Sequence, residues 1–201
     1  MKRISLIIVL LLSGVSLAAQ VDRSNNWLAR INYNQNFLTM GYSDDIERWS
    51  VGGASVDFGG KQFFNKDLGW FIEESAEFFL TDLPMSKRVS SGAWAREIGI
   101  GAVILSGYDF VIKDNMSLEV FGGVVYRRLL YNKIKLAGTV IRNGEIQDNN
   151  LRLKIGAGLN YKKYNFSFSL SPDLLNRERE DGGWHAHYTT IQIGLGVGYY
   201  F

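Results

Sequence analysis

Two histidines stand in this chain, His185 and His187, beside the hydroxyls of Tyr188, Thr189 and Thr190. Hydrolysis or acyl transfer by a Ser-His-acid set needs a nucleophile held by the base and a base held by the acid. Two residues after His187 stands Thr189, a poorer nucleophile than serine in that role. A set using Ser171 or Asp173 with a histidine is conceivable, but no motif marks it. The plainer reading is a pair of interfacial histidines at a strand end. The chain has no phosphate-cradling loop, metal-spaced His/Asp/Glu cluster or zinc motif. It has no cysteine either, which excludes disulfides, thiolate metal sites and a lipid-modified N-terminal Cys. No catalytic residue, cofactor or metal is expected.

The remaining candidates are charges set at alternate positions within apolar segments: Arg30, Asp57, Glu73, Glu77, Glu97, Glu119, Arg127, Arg152 and Lys154. On strands, alternate side chains share a face. If these faces point into a closed interior, each charge must be paired to be tolerated. The simplest product is a carboxylate–guanidinium network that plugs the interior. The functional alternative is a proton or ion path, or a narrow gated pore.

Eight segments of about ten residues carry this alternation. In the first, Trp27, Ala29, Ile31, Tyr33 and Phe37 oppose Arg30, Asn32, Asn34 and Asn36. The second, about 50–64, sets Ala54, Val56 and Phe58 against Ser55 and Asp57. The third, 70–80, sets Trp70, Ile72, Ala76, Phe78 and Leu80 against Glu73, Ser75 and Glu77. The fourth and fifth, about 94–112 and 116–130, oppose Ile98, Ile100, Ile104, Leu118, Val120 and Val124 to Glu97, Gly99, Gly101, Glu119, Gly123 and Arg127. The sixth, 151–161, opposes Leu153, Ile155 and Leu159 to Arg152, Lys154, Gly156 and Gly158. The seventh alternates Tyr164, Phe166, Phe168 and Leu170 with Asn165, Ser167 and Ser169. The eighth ends the chain on Ile191, Ile193, Leu195, Val197, Tyr199 and Phe201, opposite Gln192, Gly194, Gly196 and Gly198.

Short polar turns at 65–67, 113–115 and 162–163 alternate strictly with long links at 38–49, 81–93, 131–150 and 171–184. Such alternation is the pattern of outer-membrane barrels, with short periplasmic turns and long extracellular loops. A soluble β-sandwich would also alternate polar and apolar residues. It would have no reason to alternate loop lengths, and glycines on its polar face would gain nothing in water. Inside a narrow barrel, glycine makes room beside long Arg and Glu side chains. The predicted fold is therefore an all-β, eight-stranded, antiparallel up-and-down transmembrane barrel. Aromatic residues near strand ends, including Trp27, Trp70, Tyr108, Tyr126, Tyr161 and Tyr164, suit interfacial girdles.

Composition agrees with this. Two prolines against 22 glycines favour long regular strands. Lys2 and Arg3, the apolar run 4–12 and the small residues Ser16, Ala18 and Ala19 have the layout of a secretory signal peptide. The expected division is a signal over 1–19 and a barrel over 20–201. Lys2 and Arg3 leave with the signal, so the remaining Lys and Arg balance the 20 acidic residues. The basic pI thus implies no nucleic-acid partner. After the signal, no apolar run approaches the roughly 18 residues of a membrane helix.

Three features stand apart from the pattern. Glu74 falls on the lipid-facing parity, where a carboxylate is costly; a β-bulge turning it inward is the expected remedy. Arg96 and Arg128 also face outward, near the extracellular ends, where they can snorkel or meet lipopolysaccharide phosphates. In the third long link, Lys133 to Leu136 and Thr139 to Arg142, followed by Asn143-Gly144, read as a hairpin with an Asn-Gly turn. Such a ribbon can bind another protein along its edge or simply stiffen the barrel. The run 176–181 reads as a solvated loop of alternating charge.

The closing residues Ile193, Leu195, Val197, Tyr199 and Phe201 resemble the final strand of the small outer-membrane β-barrel superfamily, the OmpA-type and OmpX-type barrels. The resemblance covers the whole mature chain as a pattern and implies architecture rather than activity. It implies that this terminus serves as the signal read by the barrel-assembly machinery; separately, the count of eight strands requires the eighth to pair with the first, which puts Trp27 and Phe201 at the same periplasmic rim. A periplasmic peptidoglycan-binding module, found in some relatives, is not expected after Phe201. The expected product is a monomeric, integral outer-membrane protein with a structural or surface-interaction role. Its partners would be outer-membrane lipids, lipopolysaccharide and an extracellular protein met by the loops. A narrow porin-like channel and a lipid A-modifying enzyme, an activity known among barrels of this size, are the alternatives.

Overall fold

The computed structural model describes residues 26–41, 46–64, 69–83, 94–113, 115–136, 139–142, 148–175, 177–181 and 184–201. The expected signal segment and the Asn143-Gly144 pair lie outside them. Ten strands are formed: β1 (Asn26–Gly41), β2 (Ile46–Phe63), β3 (Trp70–Leu83), β4 (Trp94–Lys113), β5 (Met116–Leu136), β6 (Thr139–Arg142), β7 (Asn149–Tyr161), β8 (Tyr164–Pro172), β9 (Arg177–Asp181) and β10 (Trp184–Tyr200).

Eight of these are staves of one closed sheet in the order β1-β2-β3-β4-β5-β7-β8-β10, and β10 pairs back to β1. Every pairing is antiparallel. The closing seam runs from Leu28 opposite Tyr200 to Gly41 opposite His187. At its foot, Phe201 N donates to Trp27 O at 2.9 Å. Closure leaves no unpaired sheet edge along the staves, a requirement for any strand structure in hydrocarbon.

The alternation fixes which face is which. Along β1, Arg30, Asn32, Asn34 and Asn36 are buried in the lumen, while Ile31 is 66% exposed. The outer belt continues through Val56, Phe58, Phe78, Ile104, Val124, Phe166, Phe168, Leu195 and Val197. A one-residue slip would invert both faces, so the paired patterns lock the register. At the end with the short turns, aromatic rings form a girdle. Trp27 stacks on Phe58 at 5.5 Å, Trp70 meets Tyr108 edge-on at 5.2 Å, and Tyr199 lies between Tyr164 and Phe201 at 5.5 and 5.3 Å.

Three expectations change, and one feature is new. The β2–β3 ladder runs without a shift from Gly53 opposite Thr81 to Phe63 opposite Phe71. No bulge rescues Glu74, which keeps its outward parity because Glu73 and Ser75 on either side are buried. The third-link ribbon reverses earlier than the Asn-Gly pair: Leu136 sits opposite Thr139, and Lys133 opposite Arg142. The acidic and basic run is not a loop, since Arg177–Asp181 forms β9 against Trp184–Tyr188. Finally, the lumen is not lined by polar groups alone. Phe71, Val103, Leu105, Phe121 and Val125 form a buried apolar cluster inside the barrel.

β4 and β5 span 20 and 21 residues. Their far ends pair with each other from Trp94 opposite Lys135 to Ile98 opposite Tyr131, and β6 pairs with the last four residues of β5 as a ribbon.

Candidate functional site

The lumen holds two linked polar networks. In the one nearer the short turns, Arg30 makes a forked pair with Glu73, with Nη1 to Oε1 at 2.9 Å and Nη2 to Oε2 at 3.1 Å. Arg30 Nε donates to Asn165 Oδ1 at 3.2 Å. Asn165 in turn donates to Glu119 Oε1 at 3.0 Å and to Asn160 Oδ1 at 2.7 Å. Asn160 donates to Glu119 Oε2 at 3.0 Å. Lys61 completes the set with a salt bridge to Glu119 and a bond to the Tyr200 hydroxyl at 3.3 Å. Its ammonium lies 3.8 Å from the centre of the Phe71 ring, so polar network and apolar cluster share one wall.

The second network crosses the barrel nearer the long links. Arg127 is held by Glu77 through Nε and Nη2, both at 2.6 Å. Its Nη1 donates to Gln192 Oε1 at 2.7 Å, and Arg152 Nη1 donates to the same oxygen at 2.8 Å. Gln192 Nε2 donates to Asn34 Oδ1 at 2.9 Å. Arg152 Nε is 2.7 Å from Asp173 Oδ1. Asp173 also accepts from Asn150 at 2.9 Å and from the backbone N–H of Thr190 at 2.8 Å. Asp57 stands between the networks, 3.8 Å from both Arg30 and Lys154, and accepts from Asn32 at 3.0 Å.

Charge pairing of this kind is the condition for burial. Arg30 is 1% exposed and Glu119 is fully buried. Forked Arg–carboxylate pairs are about twice as strong as neutral hydrogen bonds and fix orientation. Glycine gives the space. A Cβ at Gly158 would lie 2.6 Å from Glu119 Oε1, and one at Gly156 would lie 2.5 Å from the Phe121 ring. Inward glycines therefore admit rings as well as long charged side chains.

All nine charges singled out from the sequence are buried in the lumen. Arg30, Glu73 and Glu119 belong to the first network; Glu77, Arg127 and Arg152 to the second; Asp57 and Lys154 to the junction. Glu97 is buried on β4, where its backbone N–H donates to Thr81 Oγ1 at 2.7 Å. Sequence reasoning missed Lys61, though it stands on the same parity as Asp57. It also missed Asn165 and Gln192, uncharged residues that bridge the charged ones. Asp173 is a carboxylate partner of Arg152. The backbone of β10 carries His185 opposite Glu180 and His187 opposite Glu178; the histidine side chains lie outside the described residues.

The terminal strand residues Ile193, Leu195, Val197, Tyr199 and Phe201 alternate outward on the closing stave, with Leu195 and Phe201 at 57% and 64% exposed. Among the described residues no group of three or more His, Cys, Asp and Glu side chains is placed to hold a metal.

No protein-family model matches the chain, and no curated protein matches it in sequence. Solved structures do. Neisserial surface protein A is 10% identical over 86% of this chain and 97% of its own, with a TM-score of 0.46. The outer membrane protein OprG from Pseudomonas aeruginosa is 10% identical over 91% and 99%, with a TM-score of 0.47. Ail, the attachment invasion locus protein of Yersinia pestis, is 13% identical over 87% and 98%, with a TM-score of 0.40. The chain is similar to these in architecture: it is a closed, all-antiparallel, eight-stranded β-barrel.

Proposed function

We propose that the chain is an integral outer-membrane barrel with a structural or surface-interaction role, its lumen closed by paired charges. One observation carries this reading: the usual distribution of residues is inverted. Ile31, Leu195 and Phe168 face outward at 66%, 57% and 50% exposure, while Arg30, Asp57 and Glu73 are each 1% exposed inside. In water, that belt would far exceed the few hundred Å2, roughly, of apolar patch that a soluble monomer shows. In hydrocarbon it is the expected surface.

The closed interior argues for a plug over a pore. Eight strands leave a lumen just wide enough for side chains, and here rings and ion pairs occupy it. With the interior closed, interaction falls to the surface. Lipids meet the belt, and the assembly machinery reads the last strand. Arg96 and Arg128, exposed toward the long-link ends of β4 and β5, meet lipopolysaccharide. The β5–β6 ribbon is the candidate contact for an extracellular protein. The reading is of a monomer without catalysis.

Heat-modifiability tests it. An unboiled sample in detergent should migrate at a different apparent mass from a boiled one. A protein that stays soluble without detergent and shows no shift would end the membrane reading.

A further inference from the structure

Outside the barrel, on the same level as the first network, the lipid-facing wall has a gap. Gly60 sits between Trp27 of β1 and Glu74 of β3 in the ladder. A Cβ at Gly60 would meet nothing within 4 Å, so lack of room does not explain this glycine. With Ala76 and Ala102 it leaves a groove of about 320 Å3, walled by Trp27 and Phe58 and containing Glu74. Among the described residues no cation pairs with Glu74.

The lining is graded along the barrel axis. Asn26 and Gln62 stand at the end of the groove nearer the short turns; Phe58, Ala76 and Ala102 stand at the end nearer mid-barrel. That gradient matches a lipid of the periplasmic leaflet, headgroup at the rim and chains toward the bilayer centre. An acyl chain alone would need no carboxylate, and a lipid-facing carboxylate that stays ionised needs a cation to be tolerated. On a second copy of the chain, among the described residues, the exposed Arg96 and Arg128 lie toward the other end, and Lys162 and Lys163 lie in a turn rather than on a lipid-facing stave.

We propose that this groove seats a phospholipid whose headgroup ends in a primary ammonium. The ammonium donates to the Glu74 carboxylate, and one acyl chain lies over Gly60, Ala76 and Ala102. This rests on the membrane reading above. An ethanolamine ammonium brings both N–H donors and a positive charge to the carboxylate, a glycerol headgroup has hydroxyl donors but no cation, and a choline headgroup has no donor, so ethanolamine fits best.

The test uses the full barrel in nanodiscs of equimolar phosphatidylethanolamine, phosphatidylglycerol and phosphatidylcholine, followed by native mass spectrometry of the lipids retained on release. One charge-assisted bond predicts about tenfold enrichment of phosphatidylethanolamine on the parent protein. E74Q should bring the three lipids to parity. G60L fills the groove and leaves the carboxylate in place, and it should lower retention of all bound lipid. Both positions face lipid, and unchanged heat-modifiability certifies the fold of each variant. Equal retention of the three lipids by the parent protein, undiminished enrichment in E74Q, or full retention in G60L would overturn the proposal. A barrel that fails to enter nanodiscs at all would instead sink the membrane reading.

Discussion

Replacing Arg127 with leucine should be among the most damaging single changes in the lumen, and replacing its partner as well should undo most of the damage. Arg127 makes two bonds of 2.6 Å to Glu77 and one of 2.7 Å to Gln192, and it lies 4.5 Å from the Phe79 ring centre. R127L strands the Glu77 carboxylate in a site where it is only 4% exposed. Breaking a buried pair from one side costs about 3–5 kcal/mol, because the remaining charge keeps its desolvation penalty. E77L should cost a similar amount by stranding the guanidinium. The double variant E77L/R127L leaves neither charge, and Gln192 keeps its bonds to Arg152 and Asn34. Exchanging a buried ion pair for apolar side chains is often near neutral, so the double variant should lie within about 2 kcal/mol of the parent. The coupling is then several kcal/mol. Reversible urea unfolding in lipid vesicles, followed by tryptophan fluorescence, reads all four stabilities. A loss below about 1 kcal/mol in R127L, or strict additivity in the double variant, would mean that the lumen is wet enough to solvate these charges.

Further expectations follow from single positions. G158A drives a methyl group to within 2.6 Å of Glu119 Oε1 and should destabilise by about 1–3 kcal/mol. G60A, with nothing within 4 Å, should be close to neutral in the same unfolding assay. Lys162 holds φ at +55° in the β7–β8 turn, so K162N should stabilise by up to about 1 kcal/mol by easing that conformation, read as a shifted unfolding midpoint. Lipid A from a strain lacking the protein should have the same mass spectrum as the parent's; an altered acyl pattern would make the chain an enzyme.

Much of the architecture is legible because a barrel with an apolar outer belt imposes one rule on every stave. The outward residue must be apolar, and a slip of one position is penalised along the whole strand. Trp27, Ile31, Val56, Phe78, Leu195 and Val197 obey it. The inward side has a looser rule, since the lumen accepts anything that packs and pairs. Phe71 and Phe121 therefore read as irregularities in sequence, and their place became clear only with the glycines opposite them. Lys61 followed the parity of Asp57 but stood among glycines and aromatics rather than other charges. Asn165 and Gln192 carry no charge to draw notice, yet they join the pairs. Beyond the apolar belt that rule ends. There, β9 forms from Arg177 to Asp181 because backbone ladder bonds ask nothing of the side chains. Glu74 is the reverse case: the pattern marked it as a breach, the expected bulge is absent, and the breach lies in a groove.

The central claim is a closed barrel whose paired interior shuts the lumen. Single-channel recording of the purified protein in planar bilayers tests it most directly. With insertion verified by the heat-dependent shift, the plugged lumen predicts no steady current at either polarity. Sustained, reproducible conductance steps from the parent protein would contradict it.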